Sequence, residues 1–240
     1  MGRPNRLWLG VVAAVWAAGV LAQEPRPDFD AERLKAGLFR YRTLVDGKDA
    51  GGSRIQVRRS DSGAFVFSNL VEGAFSQSWE AVATRAFEPV SAKLTTGSGP
   101  DARTVFDLKY RFGDGRVTGV ASGKDRVARR VDDAVAADTV DQRIDWAAVM
   151  ALKTYSPGDQ FRFHVYDPGT GHSRVEARVL AFETTSVPAG SFETVRIRYQ
   201  IEKNRGTESY EVLVQTAIPR LLVKEQFPNG AVTELVEAKP

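Results

Sequence analysis

The sequence predicts a mainly β protein, built as one large curved antiparallel sheet of about a dozen strands, half-barrel or barrel-like, with one amphipathic helix near 139–153. Residues 187–202, VPAGSFETVRIRYQIE, place Val195, Ile197 and Tyr199 on one face and arginines on the other. This period of two is typical of a half-buried strand. Similar runs follow at fairly even intervals between turn-forming residues, which favours sequential antiparallel pairing over βαβ units. Only one segment changes to the helical period, which predicts the single helix.

Residues 1–22 are predicted to be a signal peptide. Arg3 and Arg6 precede the uncharged apolar run 7–21, and small side chains occupy the two positions before Gln23 that a signal peptidase recognises. The run is shorter than the roughly 20 residues that a membrane-spanning helix needs. We therefore expect a periplasmic protein, cleaved before Gln23, that is not an integral membrane protein.

The composition excludes several function classes. The chain has no cysteine, which excludes a disulfide scaffold, thiol catalysis, thiolate metal sites and the lipid-acceptor thiol of a lipoprotein. Its 33 lysines and arginines nearly balance 30 acidic residues, and the two arginines of the signal peptide would leave with it. Such a balance gives no indication of nucleic-acid binding.

The chain after the signal peptide is predicted to form one domain. Residues 23–35 are rich in proline and charge and are expected to be a flexible lead-in, followed by a single β-rich domain at 36–238. A chain of this length can bury roughly 70% of the surface of its unfolded state, so it needs no disulfides.

The predicted strands are separated by turn signals. Asp46 and Gly47 mark a hairpin, and in 104–112 aromatic and aliphatic residues alternate with charged ones, as in a sheet with one wet face. The charged segment 124–133 fits either an edge strand or an ordered loop. The other predicted strands are 38–45, 54–58, 64–71, 76–84, 91–95, 116–121, 160–166, 173–184, 207–215, 220–226 and 231–236.

The predicted helix spans 139–153. Thr139 and Gln142 have the spacing of a capping box. Its first apolar stripe consists of Val140, Ile144, Ala148 and Leu152. This stripe is expected to dock the helix on the sheet.

A second apolar surface predicts a ligand site. Trp146, Val149 and Met150 lie on the other side of the predicted helix, where something must cover them. A lipid or other apolar ligand held between this surface and Tyr199 is one explanation. A fixed cover by the segment 124–133 is the other.

Five arginines predict a second candidate surface. Adjacent pairing of three consecutive strands would gather their outward side chains into one patch for an anionic partner such as a lipid headgroup. The five are Arg162, Arg174, Arg178, Arg196 and Arg198. Glu176 and Glu193 interrupt the patch, so the alternative is an ordinary solvated face.

The motifs of common catalytic and metal sites do not occur. There is no G-x-S-x-G, and TGVASGKD at 118–125 departs from a phosphate-binding loop at its first and last positions. His164 and His172 are the only histidines, and DPGTGH at 167–172 lacks the alternating oxygen ligands of a calcium loop. We therefore expect a protein that is not an enzyme and binds no metal or other cofactor.

The last third of the chain carries a family resemblance. VPAGSFETVRIRY, YEVLVQTAIPRLLVKEQFPNG and the terminal TELV resemble the C-terminal half of an exported bacterial family known as domain of unknown function 3108. The matching residues are Pro188, Gly190, Pro219, Glu234 and Leu235. They are turn and packing residues, so the resemblance implies a periplasmic β-rich fold and no catalytic site.

Two functional hypotheses follow. The first is a non-catalytic periplasmic binding or carrier module for a lipid or another apolar ligand, with the sheet as a cradle and the helix as a lid. The alternative is an envelope interaction or assembly factor that holds another protein through a sheet edge or the arginine face. An apolar cavity beside Trp146 would favour the first hypothesis.

The signal-peptide prediction is tested on the exported protein. N-terminal sequencing of the mature chain should begin at Gln23, because the basic start, the apolar run and the small-residue site occur together. Recovery of a chain that begins at Met1 in a membrane fraction would contradict it.

Overall fold

The computed structural model describes residues 26–72, 76–97, 99–123, 127–203 and 206–240. The predicted signal peptide and cleavage site lie outside these residues, as do 124–126 of the charged segment. The strands are β1 Gly37–Val45, β2 Lys48–Arg59, β3 Phe65–Glu72, β4 Gln77–Ala83, β5 Pro89–Thr96, β6 Arg103–Arg111, β7 Arg116–Ser122, β8 Ala128–Ala134, β9 Thr139–Asp141, β10 Gln160–Asp167, β11 Gly171–Val187, β12 Gly190–Lys203, β13 Gly206–Gln215, β14 Leu222–Gln226 and β15 Val232–Lys239. The helical elements are α1 Asp145–Ala148 and turns of 3₁₀ helix at Ala31–Arg33, Gly99–Asp101, Phe112–Asp114, Gln142–Ile144 and Val149–Ala151.

All fifteen strands of the described residues belong to one curved sheet. Its order is β8-β7-β6-β5-β4-β3-β2-β1-β15-β14-β13-β12-β11-β10-β9. Neighbours pair antiparallel, apart from the parallel pair β9 and β10. Because β1 pairs with β15, the strands follow the chain around a ring whose two ends, β8 and β9, are consecutive in sequence. The predicted mainly β fold with a large curved antiparallel sheet is confirmed.

Local sequence explains the hairpins and the two faces of the sheet. Asp46 and Gly47 join β1 to β2 with φ of 50° and 73°, the left-handed conformation that Asp-Gly turns adopt readily. In β12, Val195, Ile197 and Tyr199 are fully buried and alternate with more exposed residues. The predicted alternation therefore places one face of the sheet in the core and the other toward solvent.

The segment 139–153 is not the continuous helix that its period predicts. Thr139–Asp141 forms β9 beside β10, and only Asp145–Ala148 is α-helical, between two turns of 3₁₀ helix. The cap is also different, because the Asp141 carboxylate accepts a 2.9 Å hydrogen bond from the Arg143 amide, and Thr139 lies within the strand. The β-branched side chains at the start of the segment suit a strand, and pairing with β10 satisfies its backbone. We call residues 142–152 the plug.

The plug is buried inside the curve of the sheet. Its fully or almost fully buried apolar residues are Ile144, Ala147, Ala148, Val149, Met150, Ala151 and Leu152. Such short helical turns leave most of their carbonyls without intrahelical partners, so the surroundings must supply donors. Arg220 donates to the carbonyls of Met150, at 2.9 Å, and Leu152, and the Tyr155 hydroxyl donates to Val149 at 2.6 Å.

The segment expected to be a flexible lead-in packs against the plug where it is described, from residue 26 onward. Phe29, Ala31 and Leu34 are almost completely buried. The Asp30 amide donates to the Ala151 carbonyl at 2.7 Å, and Phe29 forms a bridge with Leu152. These apolar residues lie two and three positions apart in a charged segment. They pack this segment against the plug.

Polar side chains join the two ends of the sheet, a region that we call the seam. Three hydrogen bonds cross it or lie beside it: Tyr166 Oη to Asp133 at 2.5 Å, Tyr110 Oη to Asp141 at 2.5 Å and His164 Nδ1 to Asp138 at 2.8 Å. Arg143 completes the seam, because its guanidinium contacts Asp141 and Asp167 and lies 4.5 Å from the Phe106 ring centroid. The two sheet ends are therefore joined by tyrosine-carboxylate hydrogen bonds and by the contact of Arg143 with the Phe106 ring, in place of a strand ladder.

Burial of the plug gives the first stability prediction. Ile144→Asp should lower the free energy of unfolding by several kcal/mol, because it places a charge without a partner at a fully buried position. Urea denaturation measures the change. Leu70→Asp is the control, because this residue of β3 is 41% exposed, and it should cost roughly 1 kcal/mol or less. Equal losses in both variants would contradict this position for Ile144.

Candidate functional site

Two cavities meet at Trp146 inside the curve of the sheet. One has a volume of about 540 Å³ and extends toward β12, β13 and the 227–229 turn. The other has a volume of about 450 Å³ and extends toward β1 to β4. Trp146, Gln142 and Glu225 line both cavities. Their volumes lie within the range of roughly 300 to 1,000 Å³ that is usual for small-molecule sites.

Trp146 is held on the plug with part of its ring exposed. It lies in α1, and its indole nitrogen donates to the Arg143 carbonyl at 2.9 Å. The residue is half-buried, in contrast to its neighbours Ala147 and Ala148, which are completely buried. The indole therefore forms a partition between the cavities, with its position fixed by a hydrogen bond.

An aromatic stack forms the wall of the larger cavity. The rings of Tyr199 and Tyr210 are stacked with centroids 4.9 Å apart, and Phe227 stacks on Tyr210 at 5.6 Å. Tyr199 is completely buried behind Tyr210, and its hydroxyl donates to the Asp145 carbonyl at 2.9 Å. Tyr210 and Phe227 thus present apolar surface to the cavity, and Ile201 extends it.

Two carboxyl groups lie beside this wall. Asp145 is 6% exposed, and one of its oxygens accepts a 2.7 Å hydrogen bond from the Trp146 amide. Burial raises the pKa of Asp145 to about 7, against the opposing effects of that hydrogen bond and of the Arg143 charge. Burial, and then the charge of Asp145, raise the pKa of Glu225 to about 7 as well. Near neutral pH the pair can therefore hold a proton or, when ionised, attract a cation.

The smaller cavity is more polar. Thr43, Asn69 and Gln77 lie on its sheet side together with Trp79 and Tyr41. The Tyr41 hydroxyl donates to the Leu222 carbonyl at 2.9 Å, so it acts as a fixed part of the wall. This cavity offers hydrogen-bond partners, whereas the larger one offers ring faces and carboxyls.

The four residues predicted as a ligand site occupy different environments. Trp146 lines both cavities, as a ligand residue would. Val149 and Met150 are buried in the core, and Tyr199 lies behind Tyr210. The binding role of these four residues therefore stays a prediction.

Sequence reasoning missed Asp145, Glu225 and Phe227. Asp145 carries a local signal, because it is an acidic residue between Ile144 and Trp146 in an otherwise apolar run. Glu225 carries none, since its strand alternates like any other. Only the meeting of the plug with β13 and β14 brings these residues into one cavity.

The five arginines of the predicted patch lie on neighbouring strands, but carboxylates separate them. Arg178 is opposite Arg198 in the register of β11 and β12. Arg196 pairs with Glu183 at 2.8 Å and Glu211 at 3.1 Å, and Arg198 also pairs with Glu211. Arg162 pairs with Glu176 at 3.0 Å, while Arg174 and Arg178 are exposed. The surface is thus a mixed-charge face, and its role toward an anionic partner stays a prediction.

In the part of the chain that the structure describes, no group of three or more histidine, aspartate or glutamate side chains is arranged to hold a metal ion. No helix in the same residues has the length and apolar character needed to span a bilayer.

Comparison with known proteins identifies a family and a fold. The family described as "Protein of unknown function (DUF3108)" matches residues 33–236. A β-barrel-like protein of domain of unknown function DUF1849 from Brucella abortus has a similar structure, with a TM-score of 0.53 and 9% identity over 86% of this chain and 98% of that chain. A protein with a YmcC-like fold from Bacteroides fragilis covers 90% of this chain and 100% of its own at a TM-score of 0.34 and 12% identity. No curated protein matches the sequence significantly. At 9% identity, the likeness to the Brucella protein concerns the fold alone.

The raised pKa of Asp145 predicts how stability depends on pH. An aspartate ionises near pH 4 in the unfolded chain but near pH 7 in the folded protein, so the free energy of unfolding falls as pH rises from about 4 to about 7. Asp145→Asn removes this penalty and keeps an oxygen for the Trp146 amide. We expect the variant to match the wild type near pH 4 and to be more stable by about 4 kcal/mol at pH 8.

Denaturation of both proteins at each pH measures this difference. His164 also makes the free energy of unfolding fall as pH rises. Its hydrogen bond to Asp138 raises its pKa, and the interaction weakens when the imidazole loses its proton above that pKa. Wild type and variant share this effect, so the comparison cancels it. Glu193→Gln, at an exposed carboxylate, is the matched control and should leave the pH profile unchanged. A variant that is less stable than the wild type at pH 8 would contradict the buried position of Asp145.

Proposed function

The chain belongs to the DUF3108 family of proteins of unknown function, and from that premise we propose that it is a non-catalytic periplasmic binding or carrier module. Its ligand is a lipid or another molecule with an apolar part that lies against Trp146. The proposal combines the predicted export signal with a preformed site inside the curved sheet.

The observation that carries this proposal is the meeting of two cavities at a half-buried tryptophan. A large aromatic side chain left in contact with water forgoes roughly 1.5 to 3 kcal/mol relative to full burial. Here Trp146, Phe227 and Ile201 border one cavity of about 540 Å³. A ligand that fills this volume would remove their apolar surface from water.

A rigid floor supports binding without rearrangement of the fold. Hydrogen bonds from Tyr155, Tyr199 and Arg220 to plug carbonyls fix the backbone that carries Trp146. A preformed site loses less conformational entropy when it binds. The plug therefore serves as the fixed floor of the site, in place of the movable lid expected from the sequence.

Both histidines lie away from the two cavities at Trp146. His164 is hydrogen-bonded to Asp138, and His172 Nε2 lies 2.6 Å from the Ala134 carbonyl oxygen. Both belong to the seam, and neither lines the two cavities at Trp146. They are thus out of place to act as a general base toward a ligand there.

The second candidate function is an envelope interaction or assembly factor that acts through a sheet edge. It is favoured by a cavity of about 430 Å³ between β7, β8 and the 167–169 turn, beside the end of the sheet. An extended partner segment could pair with such an edge. Native mass spectrometry of protein purified from its own periplasm separates the two, since a co-purified lipid supports the first and a bound polypeptide the second.

Tryptophan fluorescence tests the carrier proposal directly. The exported form, residues 23–240, contains Trp79 and Trp146, and Trp79→Phe leaves Trp146 as its only indole. Titration of this variant with decyl maltoside below its micelle concentration should give a saturable blue shift, because the decyl chain displaces water from the indole. Trp146→Ala should abolish calorimetric binding and keep the fold.

Phe182→Ala removes an aromatic ring that is 50% exposed on β11, and it should bind decyl maltoside as the wild type does. Unchanged emission across the titration, together with a loss of about 3 to 5 kcal/mol of stability in Trp146→Ala, would show that the indole is a packed core residue. That result would leave the carrier proposal without support.

A further inference from the structure

Two carboxyls face the cavities without a cationic partner among the described residues. Asp145 accepts a hydrogen bond from the Trp146 amide, and it makes no ion pair in this part of the chain. Glu225 is half-buried beside it and lines both cavities. Carboxylates in such partly desolvated positions are costly unless a positive charge compensates them.

The nearest cations are engaged elsewhere. Arg143 is directed to Asp141 and Asp167, with contacts of 2.5 Å to each. Lys203 pairs with Glu208 at the rim of the larger cavity, at 2.5 Å. Both charges influence Asp145 from a distance, but neither neutralises it by contact. The carboxyl pair is therefore available to a cation that enters the cavity.

Aromatic rings surround the same point. Tyr210 and Phe227 present stacked faces, and Trp146 stands between the cavities. Ring faces attract a cation within about 6 Å of their centroids, most strongly when water is excluded. A cavity that combines several rings with carboxylates is suited to quaternary ammonium groups, which are large and weakly hydrated. A small metal ion would instead require more oxygen ligands at fixed distances.

We propose that the ligand of this site carries a quaternary ammonium group, which binds Asp145 and Glu225 against the rings of Trp146, Tyr210 and Phe227. The inference rests on the proposed function and specifies its ligand class. The ammonium lies where the two cavities meet, and the apolar part of the ligand extends along Ile201 and Phe227 toward solvent. The acidic pair explains why this ligand is selected over a neutral or anionic molecule of the same chain length.

Amphiphiles that share one decyl chain test the head group. Isothermal titration calorimetry at pH 8 compares decyltrimethylammonium, decyl maltoside and decyl sulfate, each below its micelle concentration. Decyltrimethylammonium should bind about tenfold more tightly than decyl maltoside, and decyl sulfate more weakly than both. Choline as a competitor distinguishes a free organic cation from a lipid head group. Displacement of decyltrimethylammonium by choline supports a free organic cation, and no displacement supports a lipid head group.

Isosteric variants assign the preference to the two carboxyls. Asp145→Asn and Glu225→Gln should each lower the affinity ratio of the cationic to the neutral probe, and the double variant should bring it close to one. Glu193→Gln, outside the cavities, is the matched control and should keep the preference.

A measurement on the wild type does not depend on the folding of any variant. Lowering the pH from 8 to 5 protonates the pair, so the preference for the cationic probe should fall while decyl maltoside binding stays constant. Equal binding of all three decyl probes, or a preference unchanged in the double variant and at pH 5, would overturn this inference alone. Failure of every decyl probe to bind would overturn both this inference and the proposed function.

Discussion

The structure depends on one constraint, which is that the carbonyl groups of a buried and discontinuous plug must find hydrogen-bond donors. A long helix would satisfy these groups internally, but residues 142–152 form only short turns. Arg220 supplies the donors for Met150 and Leu152, and it lies 4.2 Å over the Tyr155 ring. The sheet must therefore curve closely around the plug, because these donors come from its concave side and its connecting loops.

This constraint determines where the site lies. Since Tyr199 donates to the Asp145 carbonyl, α1 is held with the Asp145 carboxyl toward β13 and β14 and the Trp146 ring between two cavities. The carboxyl and the indole occupy neighbouring positions of the same short helix. Any ligand that touches the indole therefore comes within reach of a charged group, so the site is apolar and acidic together.

Polar side chains join the two ends of the sheet, and this protects the strand edges there. An exposed strand edge presents unpaired backbone groups that favour aggregation. Here β8 carries charged side chains, including Arg130 and Asp132, and the tyrosine and histidine contacts of the seam keep its end beside β9. The arrangement resembles a barrel in its sequential pairing, but side-chain contacts replace the backbone ladder where the two ends meet.

The sequence by itself determined the strands, the turns and the mainly β class, because alternation and turn chemistry are local properties of the chain. Strands such as β6 and β12 agree with their predicted bounds within a few residues. The helical period of 139–153 located α1 but overestimated its length, since residues that suit one face of a helix suit a fully buried irregular segment equally well. Phe29 and Leu34 were likewise assigned to a flexible segment, because their packing partners lie far along the chain. Only the tertiary structure decided that Asp145 and Glu225 share a cavity. The cost of burying a carboxyl depends on what surrounds it in space, and that environment comes from strands that are distant in sequence.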